Sequence, residues 1–188
     1  MADFLMLADF LAPVNLKEIA EDTNYKNGQF GNTLTVYDTE FPDLSEADIV
    51  IAGCTERRGS HPGKNDPNLL NTVRKELYRQ YFWHKELKIA DIGNILPGAT
   101  LQDSYASVRI IAGELAKAGK KLLLIGGSHD LTLGLYQGLA GNKNTRFQVT
   151  CADALFDFDM EELSRSSNFL MELLTGEPNY VSHYNHIA

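Results

Sequence analysis

An α/β fold built on a mainly parallel sheet is predicted by three features of this 188-residue chain. Short apolar runs recur at Ala47 to Ala52, Leu87 to Ile92, Lys121 to Ile125 and Phe147 to Ala152. Helical patterns separate each run from the next. The runs are mainly apolar, which is how strands buried on both faces read. Strands joined by helices of this length need right-handed crossovers, and these cover a parallel sheet with helices on both faces.

The elements follow in order along the chain. Residues 1–45 are mixed and polar, with Asn24, Asn27, Gly28 and Gly31 as turn formers. They read as an N-terminal arm with one hairpin, ahead of a single α/β domain over residues 46–188. The first helix is announced by Asp66 before Pro67, an N-cap acid followed by proline at the first helical position. Leu69, Val73, Leu77 and Tyr81 define its predicted core face. Thr100 and Asp103 form a variant capping box for the second helix. Tyr105, Val108, Ile111, Ala112 and Leu115 line its predicted buried side, and Gly119 ends it in the left-handed conformation. A third helix is expected from Asp130 to Ala140, stopped by Gly141, and a fourth from Met160 to Leu174, stopped by Gly176. Asn179 to Ala188 read as the start of another strand. A sheet abandoned there would keep an open edge, so the natural protein is expected to continue and a piece of this size to self-associate as a homo-oligomer.

Composition removes several function classes. Lys+Arg 17 against Asp+Glu 25 leaves a net charge of -8, with no basic block. Such a surface repels nucleic acid and anionic membrane, and neither is an expected partner. Cys54 and Cys151 each follow a strand-like run, which suits reduced thiols better than a disulfide framework. The N-terminus carries acids where a signal peptide needs positive charge, and nowhere do 18 apolar residues run together. A soluble cytoplasmic protein is expected.

Chemistry is expected on the loops after the strands, where open α/β sheets carry their ligands. Gly126 and Gly127 let the backbone turn tightly before Ser128, His129 and Asp130. Past the next strand come Asp153 and Asp157, with Asp159 close behind. His129, Asp153 and Asp157 are expected to converge. Carboxylates and one imidazole suit a hard divalent cation such as magnesium or manganese. The competing readings are a hydrogen-bonded turn for His129 and helix capping for the two acids. Glu56, Arg57 and Arg58 follow the first strand and either bind a carboxylate or organise neighbouring loops through salt bridges, the second use being the commoner. His61, His84, His183 and His186 read as incidental, because residues 183 and 186 would not share a strand face. A nucleotide-binding reading of Gly126 and Gly127 ranks last, since neither spaced glycines nor Gly-Lys-Ser/Thr follows.

In its order of motifs the chain resembles the ureohydrolase superfamily, which contains arginase, agmatinase and formimidoylglutamase. The resemblance runs from about residue 45 onward. Gly53 to Gly59 is similar to the family's loop after the first strand, Leu122 to Gly134 to its Gly-Gly-Asp-His-Ser segment, and Asp153 to Asp157 to its Asp-Ala-His-x-Asp motif. The resemblance implies a three-layer α/β/α arginase-like fold, here incomplete. It also implies a pair of manganese ions bridged by hydroxide that attacks the carbon of a guanidino or formimino compound.

Departures from the motif matter as much as matches. Ser128 replaces the acid before the histidine, Asp130 the serine after it, and Leu155 the second metal-binding histidine. The later Asp-x-Asp motif falls outside the chain. By the resemblance, His129, Asp153 and Asp157 remain and belong to one metal of the pair, with Asp130 or Asp159 as an added carboxylate. A single manganese site is therefore the most this chain assembles, and little or no ureohydrolase activity is expected. The chain also resembles divergent bacterial members in which ligands are lost and the fold is kept. The alternative is thus a metal-free structural or binding protein on the same fold.

Overall fold

A computed structural model describes residues 4–20, 25–60, 67–141, 146–158 and 165–188. Its strands are β1 (Leu11–Ala12), β2 (Thr35–Val36), β3 (Ile49–Cys54), β4 (Ile89–Ile95), β5 (Lys121–Ile125), β6 (Phe147–Ala152) and β7 (Val181–Ile187). Its α-helices are α1 (Leu16–Ile19), α2 (Pro67–Arg79), α3 (Leu101–Lys117), α4 (Leu131–Ala140) and α5 (Arg165–Thr175). Each apolar run has become a strand, β3 and β4 displaced by two residues at their starts. The last ten residues supply β7 as expected. The chain divides into two compact units.

The first unit comprises Met1–Thr55, Asn65–Pro97 and Leu115–Gly126. Its sheet runs β1-β4-β3-β5, with β2 also on β4. β3 is parallel to β4 and to β5, Ile49 lying opposite both Ile89 and Lys121. The hairpin expected near the N-terminus is corrected here. β1 pairs antiparallel at Ile95 and Asn94, and β2 parallel at Ala90 and Asp91, so both strands use β4 and not each other. That arrangement satisfies backbone groups along β4 and buries Leu7, Val14, Ile19 and Phe30 of the N-terminal segment.

Helix α2 turns a different face inward from the one its apolar residues predict. Leu70, Arg74 and Tyr78 are fully buried, whereas Leu69 and Val73 are exposed by 44% and 42%, Tyr81 by 57%, and Leu77 is half-buried. Asp66, the expected cap, lies outside the described residues. The reason for the rotation is an ion pair. Arg74 Nε donates to Asp91 Oδ2 at 2.8 Å, Arg74 Nη2 to Gly93 O at 2.9 Å, and the Tyr78 hydroxyl to Asp91 Oδ2 at 2.8 Å. Asp91 Oδ1 also accepts from the Gly93 amide, where β4 shifts register against β3 and Gly93 takes φ +85. The bulge is thus held by the same carboxylate that fixes the helix.

The second unit comprises Glu56–Lys64, Gly98–Glu114 and Gly127–Ala188. β6 and β7 form a parallel pair, from Phe147 opposite Val181 to Ala152 opposite Ile187. Among the described residues this pair is a separate two-stranded sheet. Leu133 of α4 packs with Phe169, Leu170 and Leu173 of α5 against Val149, Val181 and Tyr184. α3 keeps its predicted buried side in full. Its capping box is present, with the Thr100 amide donating to Asp103 Oδ2 at 2.8 Å and the Asp103 amide to Thr100 Oγ1 at 3.2 Å. Gly119 has φ +73, as its terminating role requires. α4 and α5 end at Gly141 and Gly176 as predicted, but the expected start of the fourth helix at Met160 lies outside the described residues.

Candidate metal centre

The loop after β5 owes its shape to Gly126 and Gly127, at φ +83 and +81. A side chain at Gly127 would also collide with Leu131. These turns carry the chain into α4 and set His129 on the surface of the second unit. The His129 amide donates to Ser166 Oγ at 3.2 Å, which fixes the loop against the start of α5.

His129, Asp153 and Asp157 converge as the sequence predicts. His129 Nδ1 lies 2.7 Å from Asp157 Oδ2 and 3.4 Å from Asp153 Oδ2. The donor atoms of the three lie within 4.8 Å of one another, and among the described residues no other such group of His, Cys, Asp or Glu forms. The Leu155 amide donates to Asp153 Oδ1 at 3.0 Å, a turn that leaves Oδ2 facing the imidazole. Two carboxylates and an imidazole fit a hard divalent cation. The three line a cleft of about 410 Å³ with Arg57, Ser60, Gly127, Ser128, Leu155, Ser166 and Ser167.

Asp130, one of the two residues expected to add a carboxylate, does not join them. It is fully buried, and its Oδ2 accepts from the Tyr105 hydroxyl. Gly59 admits this carboxylate, since a Cβ there would strike it. Burial and the Asp130 charge push the Tyr105 phenol well above its ordinary value. Asp159 lies outside the described residues, as does His61. His84 sits 3.4 Å from Glu86 on the surface.

The two arginines of the loop after β3 part company. Arg58 donates to both oxygens of buried Glu56, Nε to Oε1 at 2.9 Å and Nη2 to Oε2 at 2.5 Å, and to the carbonyls of Gly98 and Ala99. Ser104 Oγ also donates to Glu56 Oε2, at 2.6 Å. Burial alone would raise the Glu56 carboxyl, but these hydrogen bonds outweigh it and hold it at about 2. This is the salt-bridge use foreseen for the loop. Arg57 instead lines the cleft.

Tyr184 is a site neighbour that sequence reasoning missed. It lies opposite Val149 on β6, so it shares the face that ends in Asp153, and its hydroxyl is 3.1 Å from His186 Nδ1. Burial, then Cys151, Asp157 and Asp153, push its phenol up to about 12. Only the register of β6 against β7 reveals this, because the period-2 pattern of β7 is interrupted between Val181 and His183. His183 and His186 fall on opposite faces, exposed and half-buried, as expected. Neither Cys54 nor Cys151 forms a disulfide. Among the described residues no helix is long and apolar enough to cross a membrane.

Fold and site together define an α/β protein that gathers one imidazole and two carboxylates on loops following parallel strands. The arginase family model matches residues 49–172, and the chain belongs to that family. Formimidoylglutamase from Bacillus subtilis subsp. subtilis str. 168 superposes with a TM-score of 0.69 at 15% identity, over 89% of this chain and 55% of that one. A hypothetical agmatinase from Burkholderia thailandensis gives 0.60 at 14%, over 81% and 50%. Trypanosoma cruzi formiminoglutamase, solved with Mn2+, gives 0.59 at 17%, over 79% and 60%. At these identities the likeness is one of fold. The chain spans 50% to 60% of the length of these three structures. No curated protein matches in sequence.

Proposed function

We propose that this chain, of ureohydrolase ancestry, holds a single manganese ion through His129, Asp153 and Asp157, and that it has little or no activity on guanidino or formimino compounds. The observation that carries this reading is the convergence of one imidazole and two carboxylates from separate loops, with donor atoms within 4.8 Å. A relative of the same fold was solved with Mn2+. A bound ion would lower the pKa of its water and polarise a substrate nitrogen or carbon centre. The chain's own groups then orient the ligands: Ser166 holds the His129 backbone and the Leu155 amide holds Asp153. Leu155 has no lone pair to offer a second ion, at the position where the family resemblance puts a histidine.

The second reading is a metal-free protein on the same fold. It is supported by the 2.7 Å hydrogen bond between His129 and Asp157, which ties the two loops without an ion. A manganese titration followed by the electron paramagnetic resonance of the free ion separates the two. One ion per chain is expected, with Asp153→Ala weakening binding about 100-fold or more. Absence of binding at millimolar manganese would leave the metal-free reading standing.

A further inference from the structure

We infer that Arg57 makes the cleft select ligands that carry a carboxylate, an inference that rests on the single-ion reading above. The cleft is lined by one arginine, two aspartates, one histidine, serines, Gly127 and Leu155. A divalent ion would cancel the two aspartates, and a ligating imidazole is neutral. Arg57 then remains as the uncompensated charge among the lining residues.

The guanidinium of Arg57 is available for this role. Arg58 is saturated by Glu56 and two carbonyls, whereas among the described residues no acceptor engages the Arg57 side chain, which is exposed. Ser166, which lines the same cleft, adds a hydroxyl donor. Its Oγ already accepts from the His129 amide, so its proton remains free to point at a ligand oxygen. A planar fork and a hydroxyl form a carboxylate-binding pair, and the same fork repels an ammonium group. Leu155, 72% exposed on the cleft wall, gives an aliphatic chain an apolar surface to lie along. The ligand class is therefore a short aliphatic guanidino or formimino compound ending in a carboxylate, and compounds ending in an amine are disfavoured.

The test uses two probes that share a guanidino end, 4-guanidinobutyrate with a carboxylate and agmatine with an ammonium. Binding of each to the manganese-loaded chain is read from paramagnetic broadening of the probe's proton resonances, and manganese affinity is measured separately by electron paramagnetic resonance. The chain is expected to prefer 4-guanidinobutyrate by about tenfold. Arg57→Gln should bring the two probes within about twofold while leaving manganese affinity unchanged, and Arg57→Lys, which keeps the charge but loses the fork, should keep only part of the preference. Equal binding of the probes, binding of neither, or a preference that survives Arg57→Gln overturns this inference and leaves the metal centre intact. Failure to bind manganese overturns the metal centre, and this inference with it.

Discussion

Glu56 is a carboxylate that is fully buried and still ionised, because Arg58 and Ser104 supply every hydrogen bond its charge needs. Desolvation opposes the charge, and the donors win, holding the group at about 2 against an ordinary 4.5. A carboxyl lowered on folding contributes stability in full above its unfolded value, and loses it as pH falls toward the folded one. Urea midpoints of the wild-type chain should therefore fall between pH 4.5 and about 2, and Glu56→Gln should flatten that limb while lowering stability at neutral pH. An unchanged acid limb would mean that Arg58 and Ser104 do not hold the charge in solution. Roles in this loop were legible in part. The residue types announced a salt-bridge network, but Arg57 and Arg58 are adjacent and chemically alike, so only their partners tell them apart.

Helix α2 shows the limit of apolar periodicity at the scale of an element. Leu69 and Val73 form a stripe at helical spacing, yet the helix buries Leu70, Arg74 and Tyr78. Two half-exposed aliphatic side chains forfeit little, whereas an unpaired Asp91 in the sheet would cost several times more. The helix therefore rotates to bring Arg74 to Asp91, both with side chains at 0% exposure. Arg74→Ala should destabilise the chain by about 3–5 kcal/mol in urea unfolding, because it strands the carboxylate. Val73→Ala should change stability by no more than about 0.5 kcal/mol. Reversed magnitudes would restore the face that the apolar residues predict. Elsewhere local signals sufficed: the capping box at Thr100 and the left-handed Gly119 act within one turn, where no distant partner competes.

For the whole molecule, the decisive facts are family membership and incomplete span. Residues 49–172 match the arginase family, and the chain covers 55% of the B. subtilis formimidoylglutamase. A two-ion clamp stabilises both attacking and leaving atoms, and on the single-ion reading proposed above the one three-ligand group among the described residues holds only one ion. Purified chain loaded with manganese should accordingly release no urea or ammonia from guanidino or formimino compounds above the uncatalysed background. Turnover that Asp153→Ala abolishes would overturn that expectation and make the single ion sufficient.

The sequence by itself determined the strand and helix succession, the parallel α/β class, the family and the three residues that meet, because each is written in local pattern or in a motif. Tertiary structure alone decided which face of α2 is buried, that β1 and β2 pair with β4, and the register of β6 against β7. It also decided that Asp130 turns to Tyr105 and away from His129, and that Tyr184 stands near the carboxylates. The physical reason is common to these cases. Each depends on which distant group satisfies a buried charge, a backbone edge or a hydroxyl, and the choice among chemically equivalent partners is made only when the chain is folded.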